Sequence, residues 1–154
     1  MSHWVIDQLK PQITQIVADF EFLMSDTQPE HLFKDLTERI IGSAMLVHRT
    51  LGPGLSEECY ENALCLEFAE SGIDFSQQTR FSVTYKGRPV GKLIPDLIVE
   101  DRVIVENKVV DQIVDAHVAQ TLTYLTVTKP KVGLILNFKQ PALKIRRVIQ
   151  SEAP

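Results

Sequence analysis

Cys59 and Cys65 are the only cysteines in this 154-residue chain. So small a number excludes a disulfide framework, and also a four-cysteine iron–sulfur cluster within one chain. Both fall on one predicted helix, where six residues rise about 9 Å, beyond the ~7 Å limit between bridged Cα atoms. They are expected to be free thiols. The four histidines form neither an H-E-x-x-H pair nor a His–Cys cluster, so the usual zinc ligand sets are missing. No apolar run approaches the ~18 residues of a membrane span. The N-terminus lacks a basic segment followed by an apolar one, so the cytoplasm is the expected compartment. There is no G-x-S-x-G elbow for a hydrolytic serine. Gly52-Pro53-Gly54 lacks the Lys-Ser/Thr of a phosphate-binding loop, and a helix–helix corner explains it. No internal repeat or low-complexity segment is present.

Positive charge is also scarce overall. The net charge is −4, which by itself does not point to nucleic acid. Its distribution is more informative. Residues 1–115 hold ten Lys/Arg against nineteen Asp/Glu, and residues 116–154 hold six against Glu152 alone. A basic C-terminal region, with Lys129, Lys131 and Lys144 among its members, suits a polyanion. A solvated lysine-rich surface explains the same residues equally well. The hydrophobic share of 44% is ordinary for a soluble globular chain, and the length suits one domain.

Taken in order, residues 5–24 carry Ile13, Ile16, Val17 and Phe20 at helical spacing. They predict an N-terminal helical arm over residues 1–30, separate from a main domain at 31–154. A second helix runs from Glu30 to Leu51, buried along Leu36, Ile40, Ala44, Val47 and Leu51. Gly52 and Pro53 stop it. Ser56 is a plausible N-cap for a third helix reaching Ser71. His48, one turn before the corner, reads as structural. Strands are predicted at Thr79–Tyr85, Val90–Val99 and Arg102–Val109, then a helix over Asp111–Thr126, and strands at Val132–Phe138 and Lys144–Ile149.

Charges inside two of these strands are out of place in a plain core. Asp96 follows Pro95 amid Leu93, Ile94, Leu97 and Ile98; Glu106 and Lys108 close a run of Val103, Ile104 and Val105. Side chains two apart on a strand share a face, so Glu106 and Lys108 project together. A plain two-residue turn at Glu100-Asp101 would set Asp96 opposite Val105 and turn it away from Glu106. A shared site therefore requires a third residue in the connection, such as Arg102, or a bulge.

Pro95-Asp96 followed by Glu106-Asn107-Lys108 resembles the PD-(D/E)XK nuclease superfamily. Gly54-x-x-Glu57-x-x-Tyr60 upstream and Gln120-x-x-x-Tyr124 downstream fit the G-x-x-E-x-x-Y and Q-x-x-x-Y motifs. The chain is thus similar to the GxxExxY branch over roughly residues 31 to 150. The resemblance implies an α/β restriction-endonuclease-like core, ordered helix, three strands, helix, strand, and carrying the N-terminal arm as an addition. It implies catalytic roles for Glu57, Asp96, Glu106, Lys108, Gln120 and Tyr124.

The chemistry agrees with that resemblance. Two carboxylates ~4 Å apart repel by about 4 kcal/mol at an effective dielectric of 20, so a cluster of acids needs a cation or raised pKa values. Hard oxygen ligands suit Mg²⁺, with Mn²⁺ as the alternative, and not Zn²⁺. Asp96 and Glu106 are the best ligands, joined by the Asn107 carbonyl, with Glu57 completing the shell. Lys108 would assist as a positive charge. The expected activity is metal-dependent phosphodiester hydrolysis, on DNA in preference to RNA. The expected partner is nucleic acid, with a homo-oligomer or a targeting protein left open and no membrane. The rival expectation is a catalytically silent module of the same fold that binds nucleic acid or a protein. The lack of a separate DNA-reading domain or dense basic helix favours that rival, or an enzyme targeted by a partner, while the intact Asp96, Glu106 and Lys108 set favours the enzyme.

Overall fold

A computed structural model describes Gln15 and residues 31–151. The chain divides into two compact units, residues 1–34 and residues 35–154. The arm helix expected over residues 5–24 lies outside the described residues apart from Gln15.

The second unit is built on helix α1 (Lys34–Leu51), helix α2 (Glu57–Glu70) and helix α3 (Asp115–Val127), with strands β1 (Phe75–Gln77), β2 (Phe81–Tyr85), β3 (Arg88–Leu93), β4 (Leu97–Val99), β5 (Val103–Lys108), β6 (Val132–Asn137) and β7 (Lys144–Ile149). Five strands form the main sheet in the order β1-β4-β5-β6-β7, and β2 and β3 form a separate two-stranded ribbon. Only β5 and β6 run parallel; the other neighbours in the main sheet are antiparallel. A parallel pair needs a crossover, and α3 supplies it.

The apolar stripe of α1 is buried as its spacing requires, through Leu36, Ile40, Ala44 and Val47, although Leu51 is exposed. At the corner Gly52 and Gly54 both take positive φ, +69° and +110°, conformations that side chains with a Cβ resist. The Ser56 side chain accepts from Cys59 N–H and starts α2, as expected. Tyr60 stacks on Phe138 with ring centroids 4.4 Å apart. Its hydroxyl donates to the Gly52 carbonyl and accepts from Leu55 N–H. His48 is buried, bonded at 2.8 Å to the Gln140 carbonyl, which is the structural role expected of it. Cys59 and Cys65 are both free.

Three boundaries differ from the sequence reading. The continuous strand expected at Val90–Val99 breaks at Ile94-Pro95-Asp96: β3 pairs only with β2, and β4 only with β1 and β5. Pro95 has no N–H to continue a ladder. The edge strand β1 went unread because three residues, two of them polar, carry no periodicity. It takes the place in the main sheet that β2 had been expected to fill. Helix α3 begins at Asp115, four residues later than expected, where Val114 N–H donates to His117 Nδ1 at 3.0 Å. No helix among the described residues is long and apolar enough to cross a membrane.

Candidate active site

The register of β4 against β5 decides whether a site exists. Val99 pairs with Val103, Ile98 with Ile104 and Leu97 with Val105. The connection is therefore three residues, Glu100-Asp101-Arg102. Glu100 and Asp101 hold left-handed φ of 50° and 56°, and Arg102 N–H closes onto the Val99 carbonyl at 3.0 Å. One step past the last pair, Asp96 falls opposite Glu106, as a shared site requires.

The two carboxylates then replace the missing rungs of the ladder. Glu106 Oε1 accepts from Asp96 N–H at 2.9 Å, and Asp96 Oδ2 accepts from Asn107 N–H at 2.8 Å. These reciprocal bonds hold each acid by the other's strand. Glu106 is only 3% exposed. Burial first, and the Asp96 charge next, push its pKa up to about 8. Burial raises Asp96 to about 6; Asn107 N–H pulls it back in part, while Glu61 raises it further. Buried like charges favour the protonated forms, so the pair is poised to take a cation.

Lys108, two residues beyond Glu106, shares its face. Its Nζ donates to Gln120 Oε1 at 3.3 Å, and Gln120 Nε2 donates to the Tyr124 hydroxyl at 3.1 Å. The helical spacing in α3 thus puts both members of Q-x-x-x-Y over the acid pair. Tyr124 is buried, and its hydroxyl is pushed up to about 12 by burial, Glu106 and Asp96. Asn107 serves through its backbone. Its side chain alternates to the opposite face, 1% exposed, with Nδ2 and Oδ1 lacking a hydrogen-bond partner among the described residues.

The structure places Glu57 against the end of β5. Its Oε1 accepts from Val109 N–H at 3.1 Å, tying the start of α2 to the end of β5. The helix acid that bears on the pair is Glu61, one turn further along and 7% exposed. Gln77 Nε2 donates to Glu61 Oε1 at 2.8 Å. Gln78 Nε2 reaches both Glu61 oxygens, at 2.9 and 3.0 Å, and Asp96 Oδ1 at 3.3 Å. Glu61 and Gln78 were missed in the sequence. A signal for Glu61 was available: it precedes the buried Leu64 and Phe68 by three and seven residues, so it lies on the buried stripe. Gln78 had none, because its part depends on a left-handed φ of 52° between two strands.

The three lysines expected to bind nucleic acid do not form one patch. Lys144 pairs with Asn137, whose other neighbour across the sheet is Lys108, at the site end. Lys131 precedes Val132 at the opposite end of β6, about 20 Å away at ~3.3 Å per residue. Lys129 lines a cleft with Phe81, Ile98 and Asp101. Sequence proximity grouped them, and the antiparallel turn from β6 to β7 separates them.

The donor set fits a hard divalent cation: two adjacent carboxylates, oxygen donors only, with one lysine to offset two charges. Among the described residues no three His, Cys, Asp or Glu side chains converge into a ready-made cage. The protein's share would be Asp96 and Glu106, the balance coming from water and substrate oxygens, as is usual for Mg²⁺.

Comparison with known proteins places this geometry. No curated protein matches. Among solved structures, an alkaline exonuclease (LHK-Exo) from Laribacter hongkongensis is similar at 15% identity and a TM-score of 0.47, over 71% of this chain and 68% of that one. The protein SSO0001 is similar at 13% identity and a TM-score of 0.41, over 77% and 79%. A family model described as the PD-(D/E)XK nuclease superfamily matches residues 34–148, which run from the first residue of α1 into β7. With that match over three quarters of its length, and with Asp96, Glu106 and Lys108 on one face of the expected α/β, restriction-endonuclease-like fold, the chain belongs to the PD-(D/E)XK nuclease superfamily.

Proposed function

We propose that this chain is a Mg²⁺-dependent nuclease of the GxxExxY branch, with Mn²⁺ as the alternative ion, hydrolysing phosphodiester bonds in DNA in preference to RNA. The observation that carries the reading is the reciprocal bonding of Asp96 and Glu106, which holds a half-buried and a buried acid together beside Lys108. Two acids held this close, with raised pKa values, favour a positive partner over their own ionised forms, and groups so perturbed cluster at functional sites. The preference for DNA rests on the Q-x-x-x-Y resemblance to exonuclease-like members, and the branch on Gly54, Glu57 and Tyr60.

Asp96 and Glu106 would hold the ion, with the Asn107 carbonyl beside them. When bound, the ion supplies charge neutralisation at the phosphate and a more acidic water. Lys108 adds a positive charge where a scissile phosphate would lie, aimed by Gln120, which Tyr124 steadies. Glu61 acts at one remove, orienting Asp96 through the Gln78 amide. Positioning of this kind matters because electrostatic help depends on groups already in place.

The second reading is a module that binds without cutting. The observation on its side is that the reciprocal bonds already tie each acid to the other's strand without an ion. One experiment separates the two. Labelled single- and double-stranded DNA and RNA are incubated with the full chain and Mg²⁺ or Mn²⁺, with chelator and Asp96→Ala as controls. Cleavage that needs the ion and is lost in Asp96→Ala supports the nuclease. Binding without cleavage under either ion selects the silent module. Calorimetry adds a check, because ion binding should vanish in Asp96→Ala and in Glu106→Ala.

A further inference from the structure

Residues 75–95 contain Arg80, Lys86, Arg88 and Lys92 and no acid, in a chain whose net charge is −4. This stretch encloses the ribbon of β2 and β3. Its turn is Lys86-Gly87, with φ of 49° and 73° between paired Tyr85 and Arg88, the two-residue turn that matches strand twist. All four cations are exposed, and none forms an ion pair among the described residues. Tyr85 is 65% exposed at the tip, with Lys86 Nζ 5.5 Å from its ring centre. Cross-strand pairing puts Arg88 on the same face as Tyr85.

The ribbon is rooted in the site. Gln78, which precedes it, donates its backbone N–H to the Asp96 carbonyl at 2.9 Å, and Asp96 follows its second strand. Its base residues Phe81 and Leu93 pack on the cluster of Ile98, Ile104 and Tyr124, the face that bears Glu106. From Phe81 to Tyr85 the ribbon extends about 13 Å. Fold stability does not require an unpaired basic ribbon with an aromatic at its tip, since burial of Phe81 and Leu93 already anchors it.

We infer that the β2–β3 ribbon is a nucleic-acid-binding arm: Arg80, Lys86, Arg88 and Lys92 hold the phosphates of a single strand, Tyr85 stacks on an unpaired base, and the arm's root at Gln78 and Asp96 ties the held strand to the acid pair. Positive groups tracking a backbone and an exposed ring under a base are the two requirements for holding single strands. The assignment rests on the nuclease reading above and adds to it the surface that captures substrate.

The test measures affinity of the full chain for a labelled single-stranded oligonucleotide by fluorescence anisotropy, in chelator so that nothing is cut, across a salt series. The variants are Arg80→Gln/Lys86→Asn/Arg88→Gln/Lys92→Gln, Tyr85→Phe and Tyr85→Ser. Asparagine is chosen at Lys86 because it tolerates the left-handed backbone; circular dichroism checks that each variant folds. The quadruple variant should flatten the log–log salt slope by up to about 3, at ~0.7 per lost phosphate contact. Tyr85→Ser should weaken binding roughly tenfold, and Tyr85→Phe should retain it. Wild-type affinity and slope in the quadruple variant overturn the arm while leaving the nuclease reading standing. So does a Tyr85→Ser variant indistinguishable from Tyr85→Phe. A wild-type chain that neither binds nor cuts any nucleic acid overturns both.

Discussion

Glu106 is the side chain on which pH acts most directly. Its folded pKa is raised from 4.5 to about 8, and that of Asp96 from 3.8 to about 6. Between pH 4 and 8, therefore, the native chain keeps protons that the unfolded chain has released. Stability of the ion-free protein is full below pH 4 as far as these two groups are concerned, and it falls as pH rises through that window. Glu106→Gln removes the buried charge while keeping the shape. Thermal unfolding in chelator should show a Tm at pH 8 higher than wild type, by roughly 4–8 °C for a gain of about 2 kcal/mol, and little difference at pH 4. Mg²⁺ should raise the wild-type Tm more at pH 8 than at pH 5, because the ion competes with protons for the same oxygens. A Tm difference independent of pH would show that burial does not raise the two pKa values in the folded chain. Lys108 makes a different prediction. Its Nζ meets only Gln120 among the bonds described above, at 3.3 Å, so Lys108→Ala should leave Tm within a few degrees while cleavage falls at least 100-fold, as expected when a positioned charge at the phosphate is removed. Full activity in that variant would remove Lys108 from the mechanism.

Among the elements, α3 and β6 show how tightly the site depends on backbone approach. A Cβ built on Gly133 would sit 2.4 Å from Thr121 Cγ2, in the middle of the contact that seats α3 on the sheet. Gly133→Ala should therefore push α3 outward, destabilise by about 1–3 kcal/mol, and loosen Gln120 from Lys108. Thr121→Ser deletes that methyl and keeps the hydroxyl that donates to the His117 carbonyl. The double variant should recover most of the lost Tm and activity, and a double-mutant cycle measures how much. Strictly additive losses would mean that the two residues are not in contact. The Glu100-Asp101-Arg102 connection shows the same dependence in another form. Its two left-handed residues set the register, and one residue fewer would place Asp96 and Glu106 on opposite faces.

For the whole molecule, the surviving question about charge is where substrate lies. Lys144 stands at the site end of the sheet and Lys131 at the other. Lys144→Gln should weaken oligonucleotide binding several-fold and flatten the salt slope by about 0.7–0.9. Lys131→Gln, whose Nζ already faces Gln150 Oε1 at 3.4 Å, should leave affinity within about twofold, the scale of a surface substitution without a special role. Equal effects at the two positions would restore a continuous basic C-terminal surface and argue against a track confined to the site end. The net charge of −4 does not forbid a polyanionic partner, because what matters is the local field along its path.

The parts of this protein that depend on neighbours in sequence were legible without coordinates. Helical spacing marked the α1 stripe, Ser56 and the Gly-Pro-Gly corner marked where α2 starts, and the period of two put Glu106 and Lys108 on one face. Even the need for a third residue between β4 and β5 followed from alternation, although its identity did not. Tertiary structure alone decided that Glu61 bears on the acid pair while Glu57 ties down Val109. Both are helix glutamates four apart; spacing could mark Glu61 as facing inward, but only the seat of α2 against the strand ends brings it to the acid pair. It also decided that the strand read through Pro95 would split, giving β4 to the main sheet and β3 to a free ribbon. Periodicity records which way a side chain points along its own strand. It carries nothing about which strand lies alongside, because pairing is settled by burial and hydrogen bonding between segments far apart in the chain.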